Sequence, residues 1–206
     1  MIVYFDIDST VFTTDLFKKT RIDPALSELL AVPVEVITKI EKQYFTGLTK
    51  GTDFKYQEYV AFLAEKVTSS NQVTVAQLIT LFENPALYTD MLYPDVVPIF
   101  SELKLRGIPM GVYSEGFEDF QRNKLVFTDI LEYFEPEHIH ISRRKKTPEV
   151  LSKLEFEAII VDDKLEYLTG LPEVITPLMI NRQTEETVTE GVKIIHSLEE
   201  IVAYLS

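Results

Sequence analysis

Asp6 and Asp8 are the first residues in this chain whose type and spacing suit them to chemistry, because two carboxylates two positions apart follow a short apolar run, Ile2–Phe5. If the backbone stays extended through Asp8, both side chains leave the same side of a strand and face one pocket. Carboxylates this close repel each other unless a shared proton or a cation offsets their charge. A divalent cation is the expected partner.

The elements that must position these acids are short buried strands. Ile2–Phe5 is too short for a helix and consists of β-branched and aromatic residues, which favours a strand. A second apolar run, Ala158–Val161, also ends in paired acids, Asp162 and Asp163. Open α/β sheets bind ligands at the carboxyl ends of their strands, so both acidic pairs are expected at one edge of a sheet.

The composition favours one substantial globular domain, or a core domain with a small insert, since 46% of the 206 residues are hydrophobic. Acids outnumber bases 33 to 20, and the net charge of -13 disfavours binding to nucleic acid or to anionic membranes. Without cysteine, the chain has no disulfide, thiolate zinc site or cysteine nucleophile. A strand that begins at Ile2 leaves no room for a cleavable signal, and no apolar run approaches the roughly 18 residues of a membrane span, so we expect a cytoplasmic protein.

The stretch after Phe12 changes to helical periodicity and keeps it for about eighty residues, which predicts an all-helical insert. Helix starts are indicated at Pro24, Pro33 and Thr74, since proline suits a first helical turn and threonine suits an N-cap. The loop from Lys50 to Lys55, in which Gly51 allows close approach, is where we expect the insert to contact substrate, with Lys50 as the candidate. A row of aromatic residues is expected to form the core of the insert rather than a substrate cage: Tyr44, Phe45, Phe54, Tyr56, Tyr59 and Phe62.

The last 114 residues of the chain, 93–206, alternate between helix and strand patterns, which favours a parallel sheet. We therefore predict an α/β fold. Residues 1–14 and 91–206 are expected to form the parallel-sheet core, and residues 15–90 the inserted helical domain.

The strand ends and turns of this core bring a chemically complete set of side chains together. Carboxylates can hold magnesium, and one of them can act as a nucleophile while another transfers protons. A hydroxyl and an ammonium can hold phosphate oxygens, which completes the requirements of phosphoryl transfer. In chain order, the set is Asp6 with Asp8, then Ser114, then Lys145 or Lys146, then Asp162 with Asp163.

The order of these groups resembles the haloacid dehalogenase-like (HAD) superfamily. Its first motif, hydrophobic residues followed by DxDx[TV], is matched by Asp6–Thr10. The second motif, an apolar strand ending in Ser or Thr, is matched by Gly111–Ser114. The third, a lysine that opens a helix, is matched by Lys145–Pro148, and the fourth by Val161–Asp163.

This resemblance covers residues 1–12 and 93–206. It implies a Rossmann-like parallel-sheet core. A helical insert between the first and second motifs resembles the cap domain of the small-molecule phosphatases and phosphomutases of the superfamily, and residues 15–90 occupy that place.

The resemblance also implies a role for each motif residue. Asp6 attacks phosphorus to form an aspartyl-phosphate, while Asp8 protonates the leaving oxygen and then activates water. Ser114 and Lys145 neutralise the phosphoryl oxygens, and Thr10 braces the loop that carries the aspartates.

Mg²⁺ is the cofactor that the resemblance implies. It is held by the Asp6 carboxylate, the backbone carbonyl of Asp8 and the Asp163 carboxylate, and water completes the octahedron. Asp162 is an alternative inner ligand. The family usually places another acid four or five residues after its metal ligand, and Glu166 lies three residues after Asp163 and four after Asp162.

Three further residues are candidates for contact with phosphate or substrate. Lys146 can replace Lys145 as the lysine of the third motif, although Lys145 stands three residues before Pro148, as in a common KxxP form. Glu115 and Gly116 follow the serine of the second motif. Glu115 is an anion where the family often has a neutral residue, so it either points outward or selects a cationic substrate.

The sequence therefore predicts a magnesium-dependent phosphatase that acts on a small phosphorylated metabolite. The dehalogenase branch of the family lacks an acid at the second position of DxD, so Asp8 argues for phosphoryl transfer. One alternative is a phosphomutase of the same family. Another is a regulatory domain that binds phosphate or a partner protein without turnover. The sequence indicates neither the substrate nor the oligomeric state.

Overall fold

The computed structural model describes residues 1–48, 54–67, 71–155 and 157–205. These residues fall into two compact units. The sheet unit comprises Met1–Thr13, Leu92–Glu115 and Asp129–Ser206, and the helical unit comprises Thr14–Met91 and Gly116–Thr128. By this division Gly116–Thr128 groups with the helices, whereas the sequence pattern placed it with the core. Lys50 lies outside the described residues.

The sheet unit is built on a seven-stranded sheet. The strands are β1 (Ile2–Phe5), β2 (Met110–Glu115), β3 (Ile139–Ser142), β4 (Ala158–Asp162), β5 (Ile175–Ile180), β6 (Val188–Thr189) and β7 (Val192–Ile195). Their order across the sheet is β3-β2-β1-β4-β5-β7-β6, and neighbouring strands are parallel except for β6 and β7, which form an antiparallel edge. The predicted α/β fold with a parallel sheet is confirmed, and the antiparallel edge is an addition that the sequence pattern did not indicate.

The helices connect these strands and make up most of the helical unit. None of those in the described ranges is long and apolar enough to cross a membrane. Thr74 forms a capping box with Gln77 at the start of the helix Val75–Phe82, as its position before an apolar run predicts. In chain order they are α1 (Thr14–Phe17), a π-helical turn (Lys18–Ile22), α2 (Asp23–Leu30), α3 (Val34–Gly47), α4 (Tyr56–Lys66), α5 (Val75–Phe82), α6 (Val96–Leu105), α7 (Glu118–Phe127), α8 (Pro148–Leu151) and α9 (Leu165–Leu168), with short 3₁₀ turns at Pro85–Leu87, Leu131–Tyr133, Pro136–His138 and Leu198–Tyr204.

Strand β1 is buried on both faces, which explains why each of its residues is apolar. Ile2 and Tyr4 belong to a cluster that includes residues of α8 and α9. The alternate residues Val3 and Phe5 point to the opposite face, where the Phe5 ring centroid lies 4.8 Å from that of Phe100 in α6. This cover on both sides makes β1 the centre of the sheet unit.

The register of β1 places Asp6 at the carboxyl edge of the sheet. Phe5 lies opposite Val112 of β2 and Val161 of β4. The backbone N–H of Asp6 donates a 2.9 Å hydrogen bond to the carbonyl of Val161, so the ladder continues one residue past the strand. The ends of β1, β2 and β4 are therefore neighbours.

Two strand boundaries differ from the sequence prediction. Strand β1 ends at Phe5, and the chain bends at Ile7 and turns at Ser9, whose φ is 59°. The extended path through Asp8 that we considered is therefore wrong, because the loop begins before that residue. The second motif predicts a strand that ends in Ser114, but β2 continues one residue further to Glu115, so two candidate site residues belong to the strand itself.

The interior of the helical unit is aromatic, as the row of aromatic residues in the sequence predicts. The centroid of the Tyr44 ring lies 5.4 Å from that of the Tyr59 ring and 5.6 Å from that of the Phe62 ring. Phe120 of α7 joins this interior and lies 5.4 Å from the Tyr56 ring and 5.8 Å from the Phe54 ring. These contacts explain why residues 116–128 group with the helical unit.

Gly111→Ala is expected to destabilise the sheet unit by about 1–3 kcal/mol, because it overpacks a closed position. An ideal Cβ at Gly111 would clash with Cε1 of Tyr4 and would lie 2.7 Å from the carbonyl oxygen of His138. Tyr4 is fully buried and cannot swing aside. Unfolding in urea measures the effect. Gly47→Ala is the control, since nothing lies within 4 Å of a Cβ there, and an equal loss in both variants would contradict the prediction.

Candidate active site

Lys145 lies at the centre of the site. Its side chain is 1% exposed, and its ammonium nitrogen lies 2.7 Å from Oδ1 of Asp6 and also donates to Oδ2 of Asp162. Asp6 follows β1 and Asp162 ends β4, which are adjacent parallel strands. One buried ammonium therefore joins the two acidic pairs that the sequence placed after separate strands.

The backbone and ring contacts of Lys145 fix its position. The Tyr113 hydroxyl donates a 2.9 Å hydrogen bond to the Lys145 carbonyl. The Lys145 ammonium lies 4.1 Å from the centroid of the Tyr167 ring and 5.2 Å from that of the Tyr113 ring. Both distances are within the range of cation–π attraction.

Three carboxylates form a group that can hold a divalent cation. Asp6, Asp162 and Asp163 each offer one oxygen, and these oxygens all lie within 4.8 Å of one another. A hard cation such as Mg²⁺ prefers ligands of this kind. Asp162 already accepts hydrogen bonds from the Lys145 ammonium and from the backbone N–H of Lys164. Within the described part of the chain the Asp163 carboxylate accepts none, which leaves it available to a metal.

The electrostatics of the group favour a bound cation. Burial, and then the neighbouring Asp6 carboxylate, raise the pKa of Asp162 above its usual range, although Lys145 opposes this rise. Burial, Asp6 and, more weakly, Asp8 raise the pKa of Asp163 to about 6. For Lys145, burial lowers the pKa, but the Asp6 and Asp162 carboxylates outweigh burial and hold it above its usual value. The ammonium is therefore charged at neutral pH, and one ammonium does not balance three carboxylates.

Two buried hydroxyls in the motif segments have no hydrogen-bond partner in the described structure. They are Oγ of Ser114 and Oγ1 of Thr10, and both residues are fully buried. A buried hydroxyl without a partner is costly, so such a group indicates a ligand that completes it. Ser114 lies on β2, next to the strand that leads to Asp6.

The loop that carries Asp8 is held by Arg182, a residue that sequence reasoning missed. The Arg182 guanidinium donates to the carbonyl of Thr10 at 3.1 Å and to both carboxylate oxygens of Asp95 at 3.0 and 3.1 Å. It also lies 3.8 Å from the centroid of the Tyr93 ring. No signal near Arg182 in the sequence indicates this role, because its partners lie 87 or more residues away.

The remaining candidates are placed as follows. Lys146 is exposed, and its ammonium donates to the Glu166 carbonyl at 2.6 Å, so it does not join the carboxylate group. Glu115 accepts a hydrogen bond from the backbone N–H of Lys145 at 3.2 Å. Gly116 has a φ of 144°, a conformation that favours glycine, and belongs to the helical unit.

Comparisons with known proteins define the fold. No protein-family model matches the chain, and no curated protein sequence does. A haloacid dehalogenase-like hydrolase from Burkholderia xenovorans LB400, so described, gives a TM-score of 0.74 at 14% identity, with 100% of this chain and 98% of that chain covered. The HAD-hydrolase YfnB of Bacillus subtilis, in a magnesium-bound structure, gives a TM-score of 0.67 at 16% identity, with 99% of this chain and 97% of that chain covered. A HAD phosphatase from Thermococcus onnurineus gives a TM-score of 0.62 at 20% identity, with 100% of this chain and 97% of that chain covered.

Similar structures also include an L-2-haloacid dehalogenase and a beta-phosphoglucomutase from Thermotoga maritima. The chain thus has the fold of the haloacid dehalogenase-like hydrolases. The resemblance that its four motifs indicate is confirmed at the level of the fold.

Lys145→Met is expected to destabilise the metal-free protein by about 3–5 kcal/mol at pH 8, because it leaves the Asp6 and Asp162 carboxylates buried without a counter-charge. Without the ammonium, the folded-state pKa of Asp162 rises further above its unfolded value of about 3.9. The native state then binds more protons than the unfolded state, so the stability lost should shrink as the pH falls from 8 to 5.

Urea unfolding in chelator at both pH values measures this loss. Lys146→Met is the matched control, since its side chain is exposed and should change stability by less than about 0.5 kcal/mol. A loss of the same size at pH 8 and pH 5 would show that the carboxylates do not cause it.

Arg182→Met is expected to lower the free energy of unfolding by about 1.5–3 kcal/mol, since it removes charge-assisted hydrogen bonds to the buried Asp95. Arg106→Met removes an exposed i,i+4 pair with Glu102 and should cost less than about 0.5 kcal/mol. Thermal or urea unfolding compares the two. Similar values for both would mean that Arg182 does not hold the loop.

Proposed function

We propose that this protein is a magnesium-dependent phosphatase of the haloacid dehalogenase-like superfamily that acts on a small phosphorylated metabolite. The observation that carries the proposal is the buried Lys145 ammonium, which joins Asp6 to Asp162 beside a third carboxylate. The fold and the order of the motifs support the same assignment.

Asp6 is the proposed nucleophile. One of its carboxylate oxygens attacks phosphorus, and the bond between phosphorus and the leaving oxygen breaks. Asp8 gives its proton to that oxygen, which leaves as an alcohol. Water then attacks the aspartyl-phosphate while Asp8 takes a proton from it, and the bond between phosphorus and Asp6 breaks. Inorganic phosphate and the free Asp6 carboxylate are the products.

Lys145 and Ser114 are the proposed phosphate ligands. The Asp6 and Asp162 carboxylates keep the Lys145 ammonium charged, so it can offset the charge of the phosphoryl oxygens. The Ser114 hydroxyl is buried and available to donate to one of those oxygens.

Asp6 and Asp163 are the proposed carboxylate ligands of Mg²⁺, together with the backbone carbonyl of Asp8. The hydrogen bonds of Asp162 to Lys145 and Lys164 favour Asp163 over Asp162 in this role. When bound, the ion supplies positive charge that reduces the repulsion between the phosphoryl group and the carboxylates.

Residues 15–90, which belong to the helical unit, are the proposed cap domain, with substrate contacts from the loop that includes Lys50. Asp8 favours phosphoryl transfer over the chemistry of the dehalogenases found among the similar structures. No feature of the described residues favours a phosphomutase over a phosphatase.

Hydrolysis of p-nitrophenyl phosphate tests the proposal. The wild-type protein should turn over this ester with Mg²⁺, lose turnover in chelator, and regain it when Mg²⁺ is restored. Asp6→Asn should show no detectable turnover, and Asp8→Asn should lower the rate by about 10²–10⁴, as expected for loss of a general acid and base. Lys146→Met should keep the wild-type rate, because its ammonium lies outside the carboxylate group.

The other functions give different results in a panel of phosphorylated metabolites and a 2-haloacid. Halide release without phosphate release would identify a dehalogenase, and an isomerised phosphate ester would identify a phosphomutase. Binding of phosphate without turnover of any compound would identify a regulatory domain. Each of these outcomes would contradict the phosphatase proposal.

A further inference from the structure

Glu115 is an acid at the end of β2, next to the proposed phosphate ligand Ser114. Both of its carboxylate oxygens accept hydrogen bonds within the sheet unit. Oε1 accepts from the Tyr167 hydroxyl at 2.8 Å, and Oε2 accepts from the backbone N–H of Lys145 at 3.2 Å. The Arg144 guanidinium lies 3.9 Å from Oε1. The carboxylate is therefore held by the protein itself.

Tyr167 contacts Glu115 and Lys145 through different parts of its side chain. Its hydroxyl donates to Glu115, while the face of its ring lies 4.1 Å from the Lys145 ammonium. Burial, and then the hydrogen bond to Glu115, raise the pKa of Tyr167, so the phenol stays protonated and remains a donor. Glu115 therefore contacts Lys145 in two ways. It accepts a hydrogen bond from the Lys145 backbone N–H, and it binds the hydroxyl of the Tyr167 ring that lies over the ammonium.

A lysine needs such support more than a shorter side chain does. Its ammonium is carried on a flexible chain of four carbons, and the two carboxylates that it joins come from different strands. The Tyr113 hydroxyl donates to the Lys145 carbonyl, and the Lys145 ammonium lies 3.4 Å from the Tyr113 carbonyl oxygen. The Tyr167 ring is the nearer of the two aromatic rings that contact the ammonium.

We propose that Glu115 and Tyr167 form a positioning pair that holds the Lys145 ammonium between Asp6 and Asp162. The kinetic consequence of this pair rests on the proposed phosphatase function, but its structural consequence does not. Glu115 is then a positioning residue rather than a group that selects a cationic substrate.

Two readouts test the pair. The first is the NMR signal of the Lys145 side chain in protein with labelled lysine, measured in chelator and assigned with Lys145→Met. The second is kcat and KM for p-nitrophenyl phosphate with Mg²⁺. Glu115→Gln replaces two acceptor oxygens by one, Tyr167→Leu removes the ring, and Tyr167→Phe keeps the ring but removes the hydroxyl. Glu149→Gln, an exposed acid on α8, is the matched control.

The expected result is a shift of the Lys145 signal in Glu115→Gln and Tyr167→Leu, with loss of the ring-current shielding in the leucine variant. In Glu115→Gln and Tyr167→Leu, kcat should fall about ten- to a hundredfold, as for a catalytic group displaced by about 1 Å, while KM changes less than threefold. Tyr167→Phe should retain the shielding and lose less activity than the leucine variant. Glu149→Gln should match wild type in both readouts.

An unchanged Lys145 signal in Glu115→Gln would overturn the proposal, whatever happens to the rate, because in Tyr167→Leu the loss of the ring current alone shifts that signal. Tyr167→Phe preserves the packing of the ring, so it provides the test if the leucine variant does not fold. If the wild-type protein hydrolyses no phosphate ester, the phosphatase proposal fails, and the NMR signal alone then decides whether the pair positions Lys145.

Discussion

The attraction between one buried ammonium and the carboxylates at two strand ends is the constraint on which the site depends. A buried ion pair is stable only if its geometry is good and its remaining hydrogen bonds are satisfied. Here the parallel pairing of β1 and β4 places Asp6 and Asp162 within reach of Lys145, and the turn before α8 delivers that lysine. Because three carboxylates lie close together beside one ammonium, negative charge remains in excess, and a divalent cation would complement it.

Much of this arrangement could be predicted, because an apolar strand that ends in charged residues is easy to recognise in a sequence. The runs before Asp6 and Asp162 are apolar throughout, which identifies strands buried on both faces, and polar residues appear only where the strand reaches the edge of the sheet. The choice of Lys145 over Lys146 rested only on the spacing of Lys145 from Pro148. The two residues are adjacent and chemically identical, and only the turn geometry buries the first and exposes the second.

The supporting residues were also beyond the reach of sequence reasoning, for a related reason. Tyr167 and Glu115 are 52 residues apart, and Arg182 and Asp95 are 87 apart. Neither pair has a spacing that a single element imposes, so only the folded chain reveals them. The grouping of residues 116–128 with the helical unit could not be predicted either. Periodicity predicts that α7 is a helix, but it does not show that Phe120 packs against the aromatic residues of the helical unit.

The division into two units limits how the chain can change by recombination and how it can be engineered. The chain passes between the units after Thr13, Met91, Glu115 and Thr128, so neither unit is a continuous segment. A single recombination point cannot transfer either unit whole, and truncation cannot isolate one. Two of the four passages directly follow the segments that carry Asp8 and Ser114. An insertion or deletion at either of these two passages therefore enters the chain within a few residues of Asp8 or Ser114, so exchange of the helical unit is expected to disturb the candidate site.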